Sequence, residues 1–177
     1  MVRLEEAARL AGFAGAHAVW CVSSGETLVP LILWSNESGE RNLERLVAST
    51  FEEGVAKQEE RMEALATVAQ YAVSAFDGFI NENGLRTNTL FITARAFNET
   101  SNWIKFGVSY TPKKILRKFA VHPLRILSST DVDNSQMEQI TNAFFSGVAE
   151  HPKGSKLWRT RSVGATANLE TRRSGMD

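Results

Sequence analysis

The sequence predicts an α+β fold: a mostly antiparallel meander of four or more strands, with helices packed on it and a basic, mobile C-terminal tail. Three observations carry that prediction. Asn83-Gly84 is a strong hairpin signal, because both residues tolerate the positive φ of a type I′ turn. Beyond it, Leu90, Ile92, Ala94 and Ala96 alternate with Phe91, Thr93, Arg95 and Phe97, and Ile104, Phe106, Val108 and Tyr110 alternate with Trp103, Lys105, Gly107 and Ser109. Such period-two runs mark strands with one buried face. On either side of this meander lie apolar stripes at helical spacing.

The 177 residues suit one domain of ordinary size, taken as 1–151, with the tail as 152–177. Apolar residues make up 43% and charged ones 23%, the proportions of a globular protein. With 20 basic and 20 acidic residues the net charge is zero, which argues against a global attraction to nucleic acid or anionic lipid. Cys21 is the single cysteine, so no intrachain disulfide forms. That fits a reducing compartment, and the N-terminus lacks a signal-peptide layout, so the expected location is cytoplasmic with no membrane contact.

Leu4 to Ala18 reads as a helix rich in small residues, with Ala8, Gly12 and Ala16 on one stripe and Ala7, Ala11 and Gly15 on the next. Small stripes allow close approach, here to the sheet or, alternatively, to another copy. His17 to Val22 fits either the end of that helix or a strand. Thr27 to Trp34 is β-rich but contains Pro30, which cannot donate to a ladder and suggests an edge or bulged strand. Glu40 to Leu65 carries the clearest helix pattern, with Leu43, Leu46, Val47, Phe51, Val55 and Met62 on one stripe interrupted by Gly54. The stretch from Glu37 to Glu63 holds eight acids and four bases, a net of −4 read as a solvated helix face.

Tyr71 to Ile80 opens the meander. Pairing Ala94 with Phe106, Ile92 with Val108 and Leu90 with Tyr110 puts every even position on one apolar face; a one-residue slip would bury Arg95 and Lys105. Ala120 to Leu127 is a further strand. Asp133 and Gln136 form a capping-box pair that opens a last helix carrying Met137, Ile140, Phe144, Phe145 and Val148. From Lys153 onward there are six Lys or Arg against two acids, with Leu157 and Trp158 as the segment able to dock on the body.

No motif names a reaction, cofactor or metal site: the three histidines stand apart and no phosphate-binding glycine loop is present. The candidate catalytic groups are Asp77, Cys21, His17 and Glu26. His17 and Cys21 share a helix face if that segment is helical, as a base and a nucleophile must. Asp77 interrupts an apolar strand, as a general base in a cleft or as the end of pairing at a bulge with Gly78.

The candidate binding residues are Arg95, Trp103, Lys105, Lys113, Lys114, Arg117 and Lys118, since Thr100 to Thr130 contains basic residues and no acid. Aromatic and cationic side chains on an open sheet suit single-stranded nucleic acid. The same cations suit an acidic protein surface, such as that around Glu52, Glu53, Glu59 and Glu60. The preferred reading is a small protein-binding or accessory module that self-associates, with a small enzyme and a nucleic-acid binder as alternatives.

Overall fold

The computed structural model describes residues 4–97 and 102–164. Its elements are α1 (Leu4–Val22), β1 (Leu31–Ser35), β2 (Arg41–Arg45), α2 (Phe51–Ala64), β3 (Tyr71–Glu82), β4 (Leu85–Ala96), β5 (Asn102–Thr111), β6 (Ala120–Ser129), α3 (Asn134–Glu150) and α4 (Gly154–Arg161). The strands form one antiparallel sheet of six, in the order β2-β1-β3-β4-β5-β6. The meander is therefore present, with a β1–β2 hairpin added at one edge.

Asn83 (φ 51°) and Gly84 (φ 75°) turn β3 into β4 with both residues left-handed, as a type I′ turn requires. The expected apolar face is buried, with Leu90, Ile92, Ala94, Ile104, Phe106 and Val108 fully enclosed. The register differs from the expected one by two residues: Ala94 faces Ile104, Ile92 faces Phe106 and Leu90 faces Val108. A shift of two keeps each side chain on its face, so alternation alone does not detect it.

That face is covered by α1, α3 and α4. The small-residue stripes of α1 serve close packing against both the sheet and α3: a Cβ on Gly15 would lie 2.9 Å from the Ile92 side chain of β4. A Cβ on Gly12 would lie 1.8 Å from the Phe144 carbonyl oxygen, and one on Gly147 would lie 1.7 Å from that of Arg9. The segment from His17 to Val22 is helical and completes α1. Asp133 and Gln136 make the expected capping box of α3.

Three expectations are corrected. The helix expected over Glu40 to Leu65 is two elements, because Arg41–Arg45 pairs with β1 as an outer strand and α2 starts only at Phe51. Thr50 makes that start, accepting the Glu53 amide on its hydroxyl at 3.2 Å. Pro30 sits just before β1, whose strand lies inside the sheet between β2 and β3, so proline removes no ladder bond. The segment assigned to the tail begins with an ordered helix, α4, whose Trp158 is only 6% exposed against α1 and α3. The rest of the expected tail, 165–177, lies outside the described residues.

Among the described residues the opposite sheet face is packed most closely at the β1–β3 end. There Ile32 and Ala72 pack with Met62 and Leu65, in and just after α2. Gln58 of α2, 2% exposed, donates its amide to the carbonyls of Leu31 (2.7 Å) and Ala75 (3.0 Å). Leu31 and Ala75 form the last β1–β3 pair. From Phe76 to Glu82, β3 has β4 on one side and, among the described residues, no strand on the other. This unpaired stretch positions the main cleft.

Candidate functional site

A cavity of about 830 Å³ runs along that open edge. Phe76, Asp77, Gly78, Phe79 and Asn81 of β3 form its floor. The α1–β1 connection supplies Gly25, Glu26 and Thr27 on one side, and the start of α2 supplies Phe51 and Glu52. Below the sheet, Phe76 and Phe91 stack at 5.2 Å with 20° between their planes, and Phe51 meets Phe76 edge-on at 6.0 Å. Gly78 makes this stack possible: a Cβ there would lie 2.9 Å from the Phe91 ring. Asp77 and Gly78 pair regularly with Leu90 and Thr89, so the bulge expected at Gly78 is absent.

Above the sheet lies a polar relay. The Asn88 amide donates to the Tyr110 hydroxyl at 3.3 Å, and that hydroxyl donates to Asp77 Oδ2 at 2.7 Å. Asp77 Oδ1 is buried and has no partner. Burial pushes the Asp77 carboxyl above its usual range, against the opposing pull of the Tyr110 hydroxyl and the Gly78 amide. Tyr110 is pushed up as well, first by burial and then by its bond to the carboxylate.

His17, Cys21 and Glu26 meet in a separate cavity of about 320 Å³, and only Glu26 also borders the Asp77 cleft. His17 is engaged elsewhere. His151 Nδ1 accepts the Gly154 amide at 2.8 Å, which leaves its proton on Nε2, facing His17 Nδ1 at 3.2 Å. His17 then carries its own proton on Nε2, a buried atom without a partner. Burial lowers the pKa of both rings. The Cys21 thiol is pushed up by burial, the opposite of what an activated thiolate needs.

The binding candidates fall into two groups. Arg95 and Trp103 are direct cross-strand partners, and with Lys105 they border a groove of about 230 Å³ beneath α2. Arg95 is ion-paired with Glu63 of that helix. Lys113, Lys114, Arg117 and Lys118 sit in the β5–β6 connection. Lys105 to Thr111 alone spans about 20 Å at the rise of an extended strand, which sets the loop cations apart from the groove along β5. Among the described residues none of the four loop cations is ion-paired, including with Glu52, Glu53, Glu59 or Glu60.

Among the described residues no three His, Cys, Asp or Glu side chains are grouped to hold a metal, and no helix is long and apolar enough to cross a membrane. Tyr110, Asn88, Phe51 and Phe76 were not singled out from sequence as site residues. Tyr110 was within reach, since it ends the alternating run on the face that Asp77 also occupies.

Fold and site together define a six-stranded antiparallel α+β module with an aromatic, acid-bearing cleft at an open strand edge. Compared with protein-family models, curated proteins and solved structures, the chain matches none of them.

Proposed function

We propose that this chain is a cytoplasmic protein-binding module that takes an extended segment of its partner along the free edge of β3. The observation that carries this is the coincidence of two features. From Phe76 to Glu82 no strand among the described residues pairs with β3 on the side away from β4, and the cavity of about 830 Å³ lies against Phe76 to Phe79 and Asn81. An incoming strand gains main-chain hydrogen bonds from such an edge, while flanking pockets read alternate side chains. The Phe51, Phe76 and Phe91 wall suits an apolar residue, and the Asp77, Glu26 and Glu52 carboxylates suit a basic one. A cavity of this volume falls within the usual range for binding sites, about 300–1,000 Å³.

A binding role is favoured over an acid–base role because the candidate reactive groups are committed or quenched. His17 is bonded to His151 rather than Cys21, and the thiol is held protonated. Asp77 is hydrogen-bonded by the Tyr110 hydroxyl, a group that burial and this bond hold protonated.

The test is a panel of capped extended hexapeptides, basic-apolar and acidic-apolar, titrated into isotope-labelled protein. Slowed amide exchange and shift changes confined to Phe76–Glu82, Phe51 and Phe91 are expected with the basic-apolar set. No response from any peptide, or a response elsewhere on the sheet, overturns the reading.

A further inference from the structure

The connection between β5 and β6 ends in a tight turn with an unusual tip. Lys114 and Arg117 bridge each other, the Lys114 amide donating to the Arg117 carbonyl at 2.9 Å and the Arg117 amide returning the bond at 3.2 Å. Ile115 and Leu116 are thereby the two turn residues, 101% and 100% exposed. They bury nothing against their own chain. Scattered apolar residues on a surface need no explanation, but two adjacent, wholly exposed aliphatics on a projecting turn do. Lys113, Lys114, Arg117 and Lys118 surround them, and no ion pair among the described residues uses any of the four.

The cleft beside β3 has the complementary character. Its walls are phenylalanines, and its acids are Glu26, Glu52 and Asp77. The cation that borders it, Arg86, is already laid over the Phe79 ring at 3.6 Å. Pro112, at the root of the basic turn, also lines the cleft, so finger and cleft occupy the same end of the molecule. The full exposure of Ile115 and Leu116 means that the finger does not fill its own cleft.

We infer that the occupant of the cleft is a second copy of this chain. In a two-fold dimer, the Ile115–Leu116 tip of each protomer enters the aromatic cleft of the other, and the basic collar faces the acidic rim. An axis passing near Pro112 carries both fingers across at once, which gives the closed, self-complementary contact typical of homodimers. Placing opposite charges on the two halves of one contact also explains how a chain with no net charge associates specifically.

This inference rests on the binding reading of the cleft, with a turn tip as the occupant in place of an extended segment, and the experiment separates the two. Sedimentation equilibrium of the full chain is expected to show a reversible dimer that weakens as salt rises. In Ile115→Ser/Leu116→Ser, a change confined to exposed side chains, dimerisation should weaken by about a hundredfold, since removing several buried methylenes costs roughly 3 kcal/mol. Glu52→Lys and Lys114→Glu/Arg117→Glu chains should each self-associate poorly, and mixing them should restore a heterodimer. A capped Lys113–Lys118 peptide should compete for the cleft. Circular dichroism establishes that each variant is folded.

A wild-type chain that stays monomeric overturns the exchange. If hexapeptides still bind at Phe76–Glu82 in that case, the binding reading survives alone; if they do not, both fall. A dimer indifferent to the tip variants places the interface elsewhere and equally overturns the exchange. So does a monomer whose tip drives co-sedimentation with phosphatidylserine vesicles, which would assign the finger to anionic lipid.

Discussion

Tyr110 donates its hydroxyl to one oxygen of Asp77 at 2.7 Å, while the other oxygen of the same carboxylate is buried and unpartnered. A carboxylate so placed is half satisfied, which costs stability for as long as it is ionised. Removing the hydroxyl in Tyr110→Phe takes away the carboxylate's side-chain donor and leaves the Gly78 amide to favour its charge. The expected loss is about 1.5–3 kcal/mol at neutral pH, the range for a hydrogen bond to a charged group. In an Asp77→Asn background the same change should cost clearly less, and a double-mutant cycle in urea reads the difference directly. Equal losses in both backgrounds would show that Tyr110 acts through packing alone.

Asp77→Asn should itself stabilise the protein at pH 7. The folded carboxyl titrates above its ordinary 3.8 because burial disfavours its charge. The folded state therefore holds the proton more tightly than the unfolded state does. Below pH 3.8 both states are protonated and the penalty is absent; it develops as pH rises through the folded value and is complete above it. The advantage of the variant should follow that course, small in acid and constant once pH exceeds the folded value. Chemical denaturation at several pH values gives the curve, and an advantage that grows toward acid would contradict it.

Gln58 holds the point where β1 leaves β3. Its amide satisfies the carbonyls of Leu31 and Ala75, at 2.7 and 3.0 Å, from a buried position. Gln58→Leu keeps the approximate volume but leaves those carbonyls without this donor, a loss of about 2 kcal/mol. Amide exchange should accelerate first around Ala75 and Phe76, widening the free edge. Uniform acceleration across the sheet would mean that the glutamine supports global stability and no local junction.

The glycines at the α1–α3 contact make a sharper case. In Gly12→Ala or Gly147→Ala the new methyl meets backbone carbonyl oxygens at 1.8 and 1.7 Å, which no rotamer change relieves. Each variant should lose about 3 kcal/mol or more, the upper range for overpacking. One outward movement of α3 accommodates both methyls, so the double variant should lose less than the sum. Thermal melts suffice to check this.

The sheet was largely legible in the sequence, and the reasons mark where legibility stopped. Alternation identifies a face and forbids a one-residue slip, but it cannot see the two-residue shift that pairs Ala94 with Ile104. Leu43, Leu46 and Val47 fit a helical stripe as well as a strand followed by a loop. The structure leaves Leu43 47% and Val47 77% exposed, so that spacing encodes no buried face. In the cleft, Asp77 was conspicuous as an acid among apolar neighbours. Its partner Tyr110 lies 33 residues away and is recognisable only once register is known. The His17–His151 bond spans 134 residues, and nothing local in either segment announces it.

That histidine pair yields the final prediction. His151 Nδ1 is occupied by the Gly154 amide, and its Nε2 proton is given to His17, so the arrangement requires both rings neutral. His17 is lowered by burial, then by His151 and Arg45; His151 is lowered by burial, then by Lys153. Both groups charge more readily in the unfolded chain, whose histidines titrate near the ordinary 6.5. The pair's contribution is therefore fully present above pH 6.5 and is lost as pH falls from there through the folded values. The slope is bounded at about 1.4 kcal/mol per pH unit for each ring. His151→Asn offers a side-chain oxygen to the Gly154 amide and cannot titrate, so it should flatten part of this acid slope, while its stability at pH 8 changes less. Urea midpoints from pH 8 to about pH 5.5 measure both quantities. An unchanged slope in the variant would show that the acid sensitivity of α1–α4 docking originates outside this pair.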